Sequence, residues 1–396
     1  MITDPVAVFV VLLTVLAVLF FIQSHPVIGK IFKYVPLIVF AYFVPTLLSN
    51  TGVIPIESPT YEFIKKWLLP GSLVLMTLSV DLPAILKLGK NSIILFFTGT
   101  ISVVIGGPLA LLLLGKWLPV DFVDQAWRGM SALCGSWIGG GANFVAMGQS
   151  VGATPSTMSM MVIVDVVVAN IWMAVLLFFA GREKAMDDKM GADRSSIEEL
   201  KAKVEAFYRQ VSKNASVADL TAIFAIAFFS TWISIEISKK LPAIGNIISG
   251  FTWIVVLVTA IGLALSFTPV RKLEGAGASK IGSLLLFILI ASIGAGGEFS
   301  KILDAPVLVV MGMVWMVIHA TSMLLMRRKL KAPVFFLAIG SQANIGGASS
   351  TPVVASAFHP TLAPVGVLLA VLGYAVGTYG GIVCAFLLEK VSKFYI

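Results

Sequence analysis

Charge is the scarcest feature of this sequence. Asp, Glu, Lys and Arg make up 12% of its 396 residues, about half the share found in soluble domains, too few to coat a globular surface in water. Cysteine is nearly missing: Cys134 and Cys384 stand far apart, each inside apolar sequence, and suggest neither a disulfide framework nor a thiolate metal motif. With three histidines there is no cluster to hold zinc. No HExxH, CxxC, Walker loop or nucleophile elbow occurs, so metallohydrolase, nucleophilic and ATP-driven chemistry lack their residues. The chain is expected to be no enzyme and to carry no cofactor.

Apolar sequence fills the space instead. Hydrophobic residues are 58% of the total and mean hydropathy is +0.98, which predicts an all-α polytopic membrane protein, each span taking about 20 residues. The net charge of +8 does not indicate nucleic acid, because the basic residues lie between apolar segments and act as topology signals. The first apolar stretch, Pro5 to Ile22, lacks a basic leader and a small-residue cleavage site and is expected to be a retained span.

Turn and charge punctuation divides the chain into twelve apolar elements, at 5–23, 31–48, 62–80, 92–115, 129–149, 157–180, 217–238, 243–267, 280–297, 305–326, 332–356 and 361–388. The one long polar segment, 181–216, separates residues 1–180 from 217–396. It opens a capping box at Ser195 and Glu198, and Ile197, Leu200, Val204, Phe207 and Val211 then follow helical spacing, predicting a cytosolic amphipathic linker helix.

The two halves read as copies. "PGSLVLMTLSVDLPAILKL" (Pro70 to Leu88) matches "IGSLLLFILIASIGAGGEFSKILDA" (Ile281 to Ala305), and further on "GSWIGGGAN" (Gly135 to Asn143) matches "GSQANIGGAS" (Gly340 to Ser349). Such internal symmetry is characteristic of transporters built from repeats. If the fifth and eleventh elements are broken or re-entrant, ten spans plus two hairpins remain, five spans per half, and the second repeat is inverted. With both termini outside, inner loops then hold 19 of the 28 basic residues. Twelve full spans with termini inside give 21 of 28, so charge alone leaves both topologies open.

The chemistry of those two elements favours the broken form. Backbone released from helical hydrogen bonding is tolerated at membrane depth only where protein buries it or it lines a cavity, and Gly139-Gly140-Gly141-Ala142-Asn143 invites such a release. A broken helix presents an N-terminal end for an anion and a C-terminal end for a cation. The candidate substrate site is therefore Ser136, Gly140, Gly141, Gly346, Gly347, Ser349 and Ser350. Asn143, Asp165, Ser341, Gln342 and Asn344 form the candidate cation site, since hard oxygen ligands suit Na⁺. Asp165 stands among aliphatics in "MVIVDVVVANIWM", where a carboxylate costs about 2.5–3.5 kcal/mol on insertion scales, so it should face a polar interior. Ala169 and Trp172 share its helical face. Asp81 and Glu298 are read as interfacial carboxylates, Glu236 as a solvated helix end beside Lys239 and Lys240, and His319 as a hydrogen-bonded packing residue. Trp117, Trp127 and Trp253 are read as interface or core residues.

These paired glycine-rich breaks, the "GSQANIGG" segment and the intramembrane Asp165 carry a family likeness. Over nearly its full length the chain resembles the bacterial integral membrane family labelled domain of unknown function 819. That family looks like a branch of the superfamily of bile-acid/sodium symporters, sodium–glutamate symporters and cation/proton antiporters. The resemblance implies inverted repeats, a homodimer, and a core where two interrupted elements cross near the midplane. "GSQAN" is similar to the Gln-Asn cation motif of the bile-acid group, with Ala343 separating the amides. "GGGAN" looks like the re-entrant motif of the glutamate and citrate symporters without its polar third position. The adjacent carboxylate pair of the antiporters is absent.

The expectation is a Na⁺- or H⁺-coupled symporter of a small anionic or zwitterionic solute in the bacterial cytoplasmic (inner) membrane. A cation/proton antiporter using Asp165, and a membrane sensor or scaffold using the linker helix, are the alternatives. The expected partners are the solute, the lipid bilayer and a second copy of the chain, with no nucleic acid.

Overall fold

Helix starts are written into the sequence at several places. Asp4 accepts the Ala7 amide at 2.8 Å ahead of Pro5, opening α1 (Pro5–Ser24); Ser58 and Pro59 open α3 (Pro59–Leu78) and Thr154 and Pro155 open α7 (Pro155–Ala180) in the same manner. A hydroxyl or carboxylate takes up an amide that the first turn leaves free, and proline loses nothing there. The remaining helices are α2 (Leu37–Asn50), α4 (Leu82–Leu86), α5 (Lys90–Leu114), α6 (Val123–Ser150), α8 (Glu183–Asp188), α9 (Val217–Ser238), α10 (Gly250–Ser266), α11 (Ala278–Ala295), α12 (Pro306–Leu330), α13 (Val334–Ile345), α14 (Gly347–Phe358) and α15 (Ala363–Ser392).

The computed structural model describes residues 1–33, 37–86, 88–195, 197, 214–245, 247–248, 250–297, 306–359 and 362–395. Within them the regular structure is α-helix, 3₁₀ helix and one isolated bridge between Ile244 and Ile248, joined by turns and loops. Most of the expected linker helix over 195–211, Glu298 and the side chain of Ser349 lie outside the described residues. Among the described residues, 7 helices are long and apolar enough to cross a membrane, or up to 8 when the bent pair Gly250–Ser266 and Pro269–Ala276 counts as one span. The chain is a polytopic membrane protein.

Packing sorts the helices into two groups. In the first, α3 and α11 pack on each other, α2 and α1 lie on α11, and α9 and α10 lie on α3. In the second, α6 packs along α15, α5 lies against α12, α13 and α15, and α7 lies against α6 and α12. Each group draws on both sequence halves, so residues 1–180 and 217–396 interleave. Elements three and nine of the sequence, α3 and α11, form the central contact of the first group.

The glycine-rich elements fold back on themselves. In α6, Gly140 has φ 72° and ψ −170°, a conformation open essentially to glycine alone. Arg128 donates to the Val151 carbonyl although 23 residues separate them, a span of about 34 Å on a straight helix. The α13–α14 pair does the same: the rings of Phe335 and Phe358, at its two ends, have centroids 5.8 Å apart, and Gly347 at the turn has φ 59°. We name these hairpin 1 and hairpin 2. Each enters and leaves at one end of the bundle, so the expectation from the family resemblance that two interrupted elements cross is replaced by two hairpins that return.

Ties between helix ends fix which ends lie together. At one end Ile2 donates to Val53 O at 2.8 Å, Thr60 to Pro5 O at 2.7 Å, Asn50 to Gly297 O at 2.8 Å, and Tyr395 to Leu112 O. Pro155 packs against Gly296 there, which brings the mouth of hairpin 1 to that end. At the other, Arg271 pairs with Asp81 at 2.9 Å, and α8 holds the mouth of hairpin 2 through Asp187 and Glu183. Asp81 also caps Ala84 at 3.0 Å.

Candidate functional site

The tips of the two hairpins meet. A methyl group built on Gly347 would lie 3.9 Å from the Gly140 Cα, and Gly140 itself faces the ring of Tyr374. Ile38 and Leu286 approach Gly141 from the first packing group. Thus Gly140, Gly141, Gly346 and Gly347 come together at one junction, where two half-helices end and two begin. Fractional positive charge at the beginnings and negative charge at the ends gives this junction polar character without a charged side chain.

Two asparagines fix the hairpins in place by one pattern. Asn143 donates to its own Gly139 carbonyl at 3.1 Å and to Tyr374 O at 3.0 Å, while Thr378 donates to its Oδ1 at 2.7 Å. Asn344 donates to its own Gly340 carbonyl at 2.9 Å and to Phe96 O at 3.0 Å, while Thr100 donates to its Oδ1 at 2.8 Å. In both, the partners are a carbonyl and a hydroxyl four residues apart on one helix, α15 for hairpin 1 and α5 for hairpin 2. Each amide uses both its protons and one acceptor pair on protein, which makes it a clamp between helices. Thr100 and Thr378 escaped the sequence reading because a threonine in an apolar helix bonds its own backbone just as readily.

Asp165 is the carboxylate nearest the hairpins on α7. Its two oxygens accept from Ser136 Oγ at 2.6 Å and Trp137 Nε1 at 2.8 Å, both on the descending arm of hairpin 1. The sequence expectation that it faces a polar partner and not lipid therefore holds, and Ser136 is brought to it directly. Asn170, off that face, bonds Val166 O of its own helix at 2.7 Å.

A second polar file links α7, hairpin 2, α12 and α5. Trp172 donates to Ser341 Oγ at 2.7 Å; His319 touches Ser341 Oγ through Nε2 at 2.7 Å and Ser102 Oγ through Nδ1 at 2.7 Å; Ser102 donates to Gly99 O at 2.7 Å. His319 thus bridges hairpin 2 and α5 through its two ring nitrogens. It is the hydrogen-bonded packing residue that its sequence context suggested.

Gln342 differs from all of these. It is buried, its Nε2 donates to Ser350 Oγ at 2.7 Å, and its Oε1 has no hydrogen-bond partner. The bond closes hairpin 2 just below its tip, and a side chain at Gly346 would overlap both Ser350 Oγ and Gln342 Nε2. A buried carbonyl oxygen without a donor is a costly arrangement that native proteins keep for a reason. The five candidate cation residues thus each hold hydrogen bonds within the protein, and Gln342 is the one among them with an oxygen that no protein donor meets.

Outside the junction, Glu236 pairs with Lys239 at 2.6 Å at an exposed helix end. Trp117 is exposed, Trp127 is buried and bonds Asp124 at 3.0 Å, and Trp253 bonds Pro242 O at 2.7 Å. Among the described residues no group of three or more His, Cys, Asp or Glu could hold a metal ion.

Apolar helices packed in two groups, the second of them holding the paired hairpins, define a polytopic helical membrane protein. The chain belongs to the family described as "Protein of unknown function (DUF819)", whose pattern it matches over residues 10–391. It is also similar to the "Uncharacterized membrane protein YjcL" of Bacillus subtilis (strain 168), with 24% identity over 353 residues covering 85% of each chain.

Proposed function

We propose that the protein is a secondary active transporter with ten spans and two hairpins, arranged as two inverted repeats of five spans. The packing supports the repeat, since exchanging the halves turns the pair α2 and α11 into α10 and α3, and maps α3 with α11, and α5 with α12, onto themselves. The helix-end ties support the inversion, since hairpin 1 opens at the end of the two termini and hairpin 2 at the end of the linker. Basic residues favour the linker end, so we place it in the cytosol of a bacterial cell, with both termini outside the cytoplasmic membrane.

The observation that carries this reading is the contact of Gly140 with Gly347. Unwound backbone at membrane depth needs protein burial or a ligand, and here two such points share one place between two helix groups. A small anionic or zwitterionic solute binds at the tips, where Gly141 and Gly347 begin half-helices. Na⁺ or H⁺ couples to it through Asp165 with Ser136, and through Gln342 with Ser341 and Ser350, the two asparagines holding the hairpins in place. Sliding of the hairpin group against the other group gives alternating access. One cation moving through about 100 mV supplies about 2.3 kcal/mol to the cycle.

The test is thermal stability of the purified protein against a library of small carboxylates and amino acids, with Na⁺ or with K⁺ at two pH values. A ligand that raises the unfolding temperature only with Na⁺, or only at the lower pH, is expected, because binding stabilises by mass action. Sodium-driven proton flux in vesicles without any solute would favour an exchanger instead, and no cation dependence of any kind would sink the coupling.

A further inference from the structure

Just after the last long span of the first half, which ends at Ala180, α8 (Glu183–Asp188) reaches across to the second half and touches both ends of hairpin 2. Two of its carboxylates, Glu183 and Asp187, stand one turn apart and do so differently. Asp187 Oδ1 accepts the Val334 amide, the first of α13, at 2.8 Å and Arg327 Nη2 of α12 at 2.9 Å. Arg327 in turn donates to Ala332 O at 3.1 Å and Met186 O at 3.1 Å. Asp187 and Arg327 are 0% and 3% exposed. Glu183 Oε1 accepts His359 Nε2 at 3.0 Å, just past the end of α14, and pairs through the same oxygen with Arg194 at 3.2 Å. His359 and Arg194 are 18% and 35% exposed.

Breaking the two ties has unequal consequences. Opening the Asp187 tie would strand a buried ion pair and a helix amide in low dielectric. Opening the Glu183 tie frees His359, whose ring is 18% exposed, while Arg194 stays to balance the Glu183 carboxylate, itself 10% exposed. The joint between the two arms lies at Gly346–Gly347, where φ of 59° marks a glycine able to absorb a change of backbone angles.

From this asymmetry we propose that hairpin 2 is a gate on the linker side, with Asp187 the fixed mount of α13 and Glu183 the catch on α14. Releasing His359 from Glu183 lets α14 swing about Gly346–Gly347 while α13 stays seated. Glu183, Asp187, Arg327 and His359 are positioning residues, and the proposal rests on the transporter reading only in naming what the gate admits.

Cysteine reporters test it without solute or ion gradient. In a chain carrying Cys134→Ala and Cys384→Ala, the buried Ala355→Cys on α14 and Ala338→Cys on α13 are labelled in lipid nanodiscs with a charged maleimide. Glu183→Gln is expected to raise the labelling rate of the α14 reporter roughly tenfold, the effect of losing one charge-assisted hydrogen bond, and to leave the α13 reporter protected. His359→Ala should match it, and the double variant should add nothing further. Unchanged rates at both reporters, or equal rises at both, overturn the proposal. Expected labelling with no cation-dependent ligand binding would instead sink the transporter reading and leave the gate standing.

Discussion

Gly140 and Gly347 lie tip to tip, each in a left-handed backbone conformation and neither carrying a side chain that could hold the hairpins apart. Their contact places the free peptide groups of two half-helix starts and two half-helix ends at one point.

Substitution at either glycine follows from that conformation. Gly140→Ala should cost about 1–3 kcal/mol, since ψ of −170° with φ of 72° is nearly closed to other residues. Gly347→Ala should cost about 1–2 kcal/mol. Thermal unfolding in detergent measures both, and cation-dependent ligand shifts should vanish in both.

Gln342 and Asn344, two residues apart on one arm, should behave oppositely. Asn344→Leu removes the bonds to Thr100, Phe96 O and Gly340 O and should destabilise by about 2–4 kcal/mol in total. Gln342→Met gives up the bond to Ser350 but also removes an oxygen that has no donor, so its unfolding temperature should change little while cation dependence is lost. A stability loss in Gln342→Met as large as in Asn344→Leu would assign Gln342 to structure.

The two clamps can be compared by double-mutant cycles. Asn143 with Thr378, and Asn344 with Thr100, should each couple by about 0.5–3 kcal/mol in unfolding free energy. Asn143 with Thr100, on different clamps, should be additive within about 0.5 kcal/mol.

Asp165→Asn keeps an acceptor for Ser136 or Trp137 and should leave the fold intact. Removing its charge should abolish the cation dependence of ligand binding, read as loss of the Na⁺- or pH-dependent rise in unfolding temperature. Undiminished cation dependence would assign Asp165 a structural role.

Asp187→Ala leaves Arg327 buried beside no counter-ion and should cost about 3–5 kcal/mol. Glu183→Gln, at a more exposed pair, should cost no more than about 1 kcal/mol. Comparing their unfolding midpoints tests the assignment of mount and catch independently of labelling.

Much of the candidate site was readable from residue type alone. Three glycines beside an asparagine in apolar sequence, and a lone aspartate among valines, are expensive in a membrane whatever the fold, so Gly140, Gly347 and Asp165 identified themselves. The roles of Asn143 and Asn344 did not. An amide suits a cation or a carbonyl equally, and only the approach of α15 and α5 decides between them. Asp187 and Glu183 went unnoticed because a mixed-charge segment after a span has the composition of any solvated linker.

The sequence by itself determined that the chain is helical and crosses a membrane, where its helices start, and where the backbone must break, because those follow from local hydropathy, capping and glycine content. Only the tertiary structure decided that both breaks are turns of returning hairpins, that their tips meet, and that α8 holds one of them at its mouth. The reason is physical: a glycine at positive φ permits a change of direction without saying which way the chain goes, and the direction is fixed by helices hundreds of residues away that close on both arms.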